Sequence, residues 1–112
     1  MENTLFTQQC EVCHSGATRV SDEDLQEYLT EIPDWIVFVK NNVMVLERKY
    51  LFKNYKQAWL FTNKVSELAE NEFHHPAIIL EWGKVTVTWW THAIKGLHMN
   101  DLICAAKTDR IV

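Results

Sequence analysis

The chain has 112 residues, room for one domain with a modest core and not for two. An apolar fraction of 47% is that of an ordinary globular protein and argues against disorder. With a net charge of −4 and no basic run longer than Arg48-Lys49, direct nucleic-acid binding is not expected.

No apolar run has the length of a membrane span, and the N-terminus lacks the basic and apolar regions of a signal peptide. A cytoplasmic protein with no membrane partner is expected. Residues 1–20 read as an N-terminal arm ahead of a single domain over 21–112. The arm carries Cys10-Glu11-Val12-Cys13-His14. Cys-x-x-Cys-His is the attachment motif of c-type haem, and Cys-x-x-Cys can be half a zinc site. Haem attachment needs export, and zinc needs two further ligands that only Cys104 or distant histidines could supply. Without export a structural disulfide is also disfavoured. The expected metal content is none.

Ser21-Asp22-Glu23-Asp24 opens the first helix, with serine as N-cap and acids in the first turn where the helix dipole favours them. Leu25, Tyr28 and Leu29 form its apolar stripe, and Pro33 marks its exit. Trp35 to Lys40 and Val43 to Phe52 read as strands joined by Asn41-Asn42, residues that tolerate turn conformations. Asn54 then caps a long helix with Gln57 at the reciprocal capping position. Tyr55, Ala58, Trp59, Thr62, Val65 and Ala69 recur at helical spacing and are expected to form its core face. The helix runs out near Phe73.

Ala77 to Trp82 and Val85 to Thr91 are short runs rich in Ile, Val, Thr and Trp, which suits strands. A two-residue turn at Gly83-Lys84 would set His75 opposite His92, with Cβ atoms roughly 5 Å apart. A turn at Trp82-Gly83 slips the register by two and still leaves His92 beside the pair His74-His75. Pro76 biases His75 toward extended backbone, where the helix gives way to the strand. Either register predicts a pocket lined by His74, His75 and His92. Histidine has the unperturbed pKa nearest neutrality, so such a cluster suggests acid/base or metal chemistry. His14 and His98 lie outside it. Asn100 is expected to cap a last helix, with Asp101 in its first turn and Leu102, Ile103 and Ala106 facing inward. Helix, strand, strand, helix, strand, strand, helix makes an α+β fold: a four-stranded antiparallel sheet with the helices on one face.

The spacing Glu70-x3-His74-His75-Pro76-x5-Trp82-x9-His92-x8-Asp101 resembles the signature of the pterin-4a-carbinolamine dehydratases. Asp34-Trp35, Phe52-Lys53-Asn54-Tyr55, Gly83-Lys84-Val85 and Gly96-Leu97 resemble the same family. Phe73, Ala77-Ile78 and Lys95 depart from it: relatives often carry a small polar residue, Glu-Trp and glycine at those places.

The resemblance implies dehydration of a 4a-hydroxytetrahydropterin to the quinonoid dihydropterin, within the recycling of the cofactor of aromatic amino acid hydroxylases. It implies that His74, His75 and His92 carry the acid/base work, donor and base not yet separated. Glu70 would orient a histidine, while Pro76, Thr91, Ala93 and Ile94 would line the pterin site. Asp101 would be a support. No metal and no organic cofactor is implied, and the assembly would be a homodimer or homotetramer. Animal members also bind a transcription factor's dimerisation segment, so a non-catalytic interaction scaffold is the alternative.

Overall fold

Ser21 accepts a hydrogen bond from the Asp24 amide and starts α1, Asp22–Leu29, which buries Leu25. This computed structural model describes residues 5–8 and 19–112. Cys10, Cys13 and His14, weighed above for metal or haem, lie outside the described residues. Leu5 is fully buried, and its 3₁₀ turn, Leu5–Thr7, packs against the C-terminal helix.

After α1 come β1 (Ile36–Lys40) and β2 (Val43–Leu51), joined by Asn41 and Asn42 with φ of 53° and 65°. Both turn residues are left-handed, as the tight twist of a two-residue hairpin demands. Asn54 caps α2, Tyr55–Glu72, by accepting from the Gln57 amide at 2.9 Å. The Gln57 side chain reaches the Lys53 amide at 3.3 Å, one residue before the cap itself. The inward stripe of α2 is Ala58, Phe61, Val65 and Ala69. Tyr55 and Trp59, expected in the core, are 47% and 48% exposed. The apolar stripe is rotated from the expected one, and Phe61 supplies its aromatic bulk against Tyr50 and Phe52.

The second hairpin pairs β3 (Ala77–Glu81) with β4 (Lys84–Trp89) through Glu81↔Lys84, Leu80↔Val85 and Ile78↔Val87. The turn is therefore Trp82-Gly83, the second of the two registers. Gly83 has a φ of +69°, and a Cβ on it would meet the Phe52 carbonyl oxygen at 3.1 Å. Glycine is favoured there on both counts. Strand order is β1-β2-β4-β3, all antiparallel.

Alternation fixes what each side of the sheet meets. Leu46, Tyr50, Val85, Val87 and Trp89 point toward α2 and toward α3, Met99–Arg110, and form the core with them. The opposite side carries Ile36 and Leu51 at its ends, 66% and 80% exposed, and none of the described helices covers it. α3 is buried along most of its length, Cys104 included at 0% exposure. Its last turn is fastened by Asp109, whose carboxylate accepts from Trp35 Nε1 at 3.0 Å, Arg48 Nη1 at 2.8 Å and the Tyr50 hydroxyl. Lys107 adds an ion pair to Glu72 of α2 at 3.0 Å.

Candidate active site

The end of the sheet where β3 begins and β4 finishes gathers the histidines of the motif. Phe73 ends α2 in the left-handed conformation, φ 52°, and turns the chain sharply. His74 and His75 then point to opposite sides, because successive residues of extended chain alternate.

On the inner side His74 is 3% exposed and stacks on Trp89, centroids 5.6 Å apart and rings 9° from parallel. Its Nε2 donates to Asp101 Oδ1 at 2.6 Å. Asp101 Oδ2 accepts from Thr91 Oγ1 at 2.7 Å and from the His98 amide at 2.9 Å. Asp101, Thr91 and His98 are all buried. A buried carboxylate persists only when donors surround it, and here three donors do so.

Asp101 falls in the first turn of the last helix, as expected, but the cap is His98 and not Asn100. His98 Nδ1 accepts from the Asn100 amide at 3.0 Å while Asp101 answers to the His98 amide, a capping box with histidine in the place of serine. His98 thus belongs to this cluster, although the spacing of the motif does not include it. The three-residue step from His98 to Asp101 is the signal that could have found it.

On the outer side His75 Nε2 donates to Glu70 Oε1 at 2.7 Å, with side chains 59% and 79% exposed. His92 is exposed too, at the start of the 3₁₀ turn His92–Ile94, and its Nε2 lies 3.4 Å from the His75 carbonyl oxygen. Trp90 packs on the His92 ring with centroids 4.5 Å apart. The spacing predicts all three rings in one pocket. The structure brings His75 and His92 together with Glu70, and sets His74 behind them with Asp101.

Of the expected lining residues, Pro76 and Ile94 are half-buried and Ala93 is exposed, all beside the outer pair in sequence. Thr91 is fully buried, its hydroxyl committed to Asp101 and its backbone paired with Gly96. It shapes the loop and does not face outward. That loop is held from outside by Arg19, which donates to the Ile94 carbonyl from Nη2 at 2.7 Å and Nε at 3.2 Å. Lys95 closes the loop in the left-handed conformation, φ 50°. Among the described residues no cluster of histidine, cysteine and acidic side chains could hold a metal ion, and no helix is long and apolar enough to cross a membrane.

Comparisons with known proteins place the chain in a family. The family model for pterin 4 alpha carbinolamine dehydratase matches residues 18–111. A protein of Vibrio cholerae serotype O1 named for pterin-4-alpha-carbinolamine dehydratase is 55% identical over 103 residues, 92% of this chain and 94% of that one. Among solved structures, a transcriptional coactivator/pterin dehydratase from Brucella melitensis superposes with a TM-score of 0.74 at 26% identity, over 84% of this chain and 98% of its own. The chain belongs to the pterin 4 alpha carbinolamine dehydratase family, and is a hydro-lyase of that family.

Proposed function

We propose that the outer histidine pair dehydrates a 4a-hydroxytetrahydropterin to the quinonoid dihydropterin. The observation that carries this reading is the meeting of His75 and His92 from the two ends of one hairpin, 3.4 Å apart at Nε2 and carbonyl oxygen. The reaction breaks the C4a–O bond and removes the N5 proton, so water leaves and a C=N bond forms. A donor must protonate the departing hydroxyl while an acceptor takes the N5 proton.

In this reading His92 Nε2 carries the proton and donates to the His75 carbonyl, 3.4 Å away, leaving the lone pair on Nδ1. His92 Nδ1 is then the base. His75, taken as the imidazolium with its Nε2–H directed to Glu70, is the donor through Nδ1–H and is left neutral once the proton has gone to the departing hydroxyl. Glu70 orients that ring, and Pro76, Ala93 and Ile94 border the space in front of the pair. His74, stacked on Trp89 and tied to Asp101, fixes the backbone at residues 74 and 75 and acts through position. Thr91 and Asp101 support it.

The product would return to the tetrahydropterin used in aromatic amino acid hydroxylation, in the cytoplasm. A homodimer or homotetramer is the proposed assembly, supported by exposed Ile36, Leu51 and Ile79 on the uncovered side of the sheet. Sedimentation equilibrium would read its mass. The decisive assay is quinonoid dihydropterin formation from freshly generated carbinolamine, read by absorbance. Micromolar protein is expected to exceed the spontaneous rate, and no acceleration would overturn the reading.

A second reading, an interaction scaffold of the transcription-factor dimerisation type, draws on Tyr55 and Trp59. They stand half-exposed one turn apart on α2, and the Brucella relative is titled a transcriptional coactivator as well. A variant lacking both aromatic rings would keep dehydration under the first reading and lose its partner under the second.

A further inference from the structure

The loop between β4 and α3 carries His92, and few of its own bonds hold its shape. Thr91 and Gly96 close its base, with the Thr91 amide 2.8 Å from the Gly96 carbonyl oxygen. Inside the loop the bonds are long: 3.3 Å from the Ile94 amide to the Thr91 carbonyl, and 3.4 Å from the Lys95 amide to that of His92. Thr91 makes no side-chain cap to the 3₁₀ turn, and Lys95 leaves it in a left-handed conformation. The His92 ring touches Trp90 and lies 3.4 Å from the His75 carbonyl oxygen. Those contacts steer the ring and not the backbone beneath it.

Arg19 supplies a tie from elsewhere in the fold. It stands 75 residues before Ile94 in sequence, just ahead of Ser21, the cap of α1. Its Nη2 and Nε donate to the Ile94 carbonyl at 2.7 and 3.2 Å, so a rigid, charged fork meets one oxygen of the turn. Gly96 makes room for it: a Cβ there would lie 3.2 Å from Arg19 Nε. The next residue grips the loop as well, the Val20 amide donating to the Leu97 carbonyl at 2.9 Å. Both follow into α1, which is seated by the buried Leu25. The hold on the loop therefore comes from the body of the fold.

We infer that Arg19 is a positioning residue for the reaction: it sets the backbone of the turn His92–Ile94 and so the place of the His92 ring. It moves no proton and acts through His92. The inference rests on the dehydratase reading for the role of His92; the clamp on the loop does not. The spacing from Glu70 to Asp101 does not contain Arg19. Its guanidinium is exposed, so the clamp adds little to the stability of the whole fold. Catalysis is more demanding, since a displacement of about 1 Å can cost about 100-fold in rate.

The test pairs turnover with amide hydrogen exchange on the full chain. Arg19→Ala is expected to lower kcat by about 10- to 100-fold, with KM little changed and the melting temperature near that of wild type. Exchange at the Thr91 and Gly96 amides should quicken by about tenfold or more, while exchange at Val65 of α2 holds. Arg19→Lys, which keeps the charge without the fork, should recover part of the lost kcat. In a His92→Ala background Arg19→Ala should cost almost nothing further, because both losses pass through one ring. A full further loss there would overturn the inference, as would unchanged kcat in Arg19→Ala. Wild-type turnover with loop exchange unmoved by Arg19→Ala would sink the clamp and spare the dehydratase reading. Quickened exchange in a chain without wild-type turnover would do the reverse.

Discussion

One motif serves two opposite purposes on the two sides of the sheet. On the inner side His74, Thr91, His98 and Asp101 have their polar groups directed at one another, and little solvent reaches them. On the outer side Glu70, His75 and His92 are exposed, and the contact that joins the two histidines is long, 3.4 Å. The partition comes from alternation along an extended chain, since His74 and His75 are neighbours and cannot face the same way. Adjacent histidines in such a motif are thus not duplicates. One is bound into the fold and the next is open to solvent.

Cutting the inner set should have the largest effect. Asp101→Ala removes the acceptor of three buried donors, and breaking a buried pair from one side costs about 3–5 kcal/mol. Urea unfolding should register that loss, with turnover falling as the folded fraction falls. If Asp101→Ala kept wild-type stability, the inner side would not be the anchor described.

The outer set should behave in the reverse way. His92→Ala and His75→Ala are each expected to lower turnover by about 100- to 10,000-fold. Their stability should stay within about 0.5 kcal/mol of wild type, as for other exposed positions. The double variant should lose less than the product of the single losses, because groups that act as a unit are not additive. Activity that merely tracked unfolding in these variants would erase the distinction between the two sides.

His98→Ala is the finer probe of the inner side. Losing an N-cap typically costs about 1 kcal/mol, and His98 is expected to show that loss in its melting temperature while kcat is kept. An unchanged melting temperature would mean that the Asp101 half of the capping box suffices alone.

The smallest effect at neutral pH belongs to the other end of α3. Burial, aided by the Asp109 carboxylate beside it, pushes the Tyr50 hydroxyl far above its ordinary value of 10.0. Above about pH 10 the unfolded chain releases this proton and the native one retains it. Stability should therefore fall as pH rises beyond that point. A Tyr50→Phe variant should show a flatter decline in melting temperature over the same range; a parallel decline would exclude Tyr50 as its source. Here is a buried cluster without histidine, whose response is separated from that of His74.

Much of the fold, and the end of the sheet where the candidate site residues gather, is legible in the order of the residues alone. Ser21, the Asn41-Asn42 turn and Asn54 are local signals, set by hydrogen bonds within a few residues, and they mark element ends correctly. The spacing from Glu70 to Asp101 predicts that Glu70, His75 and His92 meet, and they do so at one end of the sheet. What is not legible depends on contacts between distant segments. Gly83 could occupy either turn position by propensity; in the fold it takes the second, packed beside the Phe52 carbonyl of a distant segment. The rotation of α2 that exposes Trp59 is decided by which ring fits against Tyr50, and Phe61 does so. Asp109 reads as an ordinary acid near a helix end until Trp35, just ahead of β1, and Arg48 and Tyr50 of β2 are brought to it.

Cys104 lies on α3 three residues after Asp101 and five before Asp109, with its thiol sealed inside. An alkylating reagent can reach that sulfur only when α3 leaves the sheet. In a background where Cys10 and Cys13 are serine, the labelling rate at Cys104 is a clock for that departure. It would keep time for the whole fold from one atom, and run fast whenever either carboxylate is cut away.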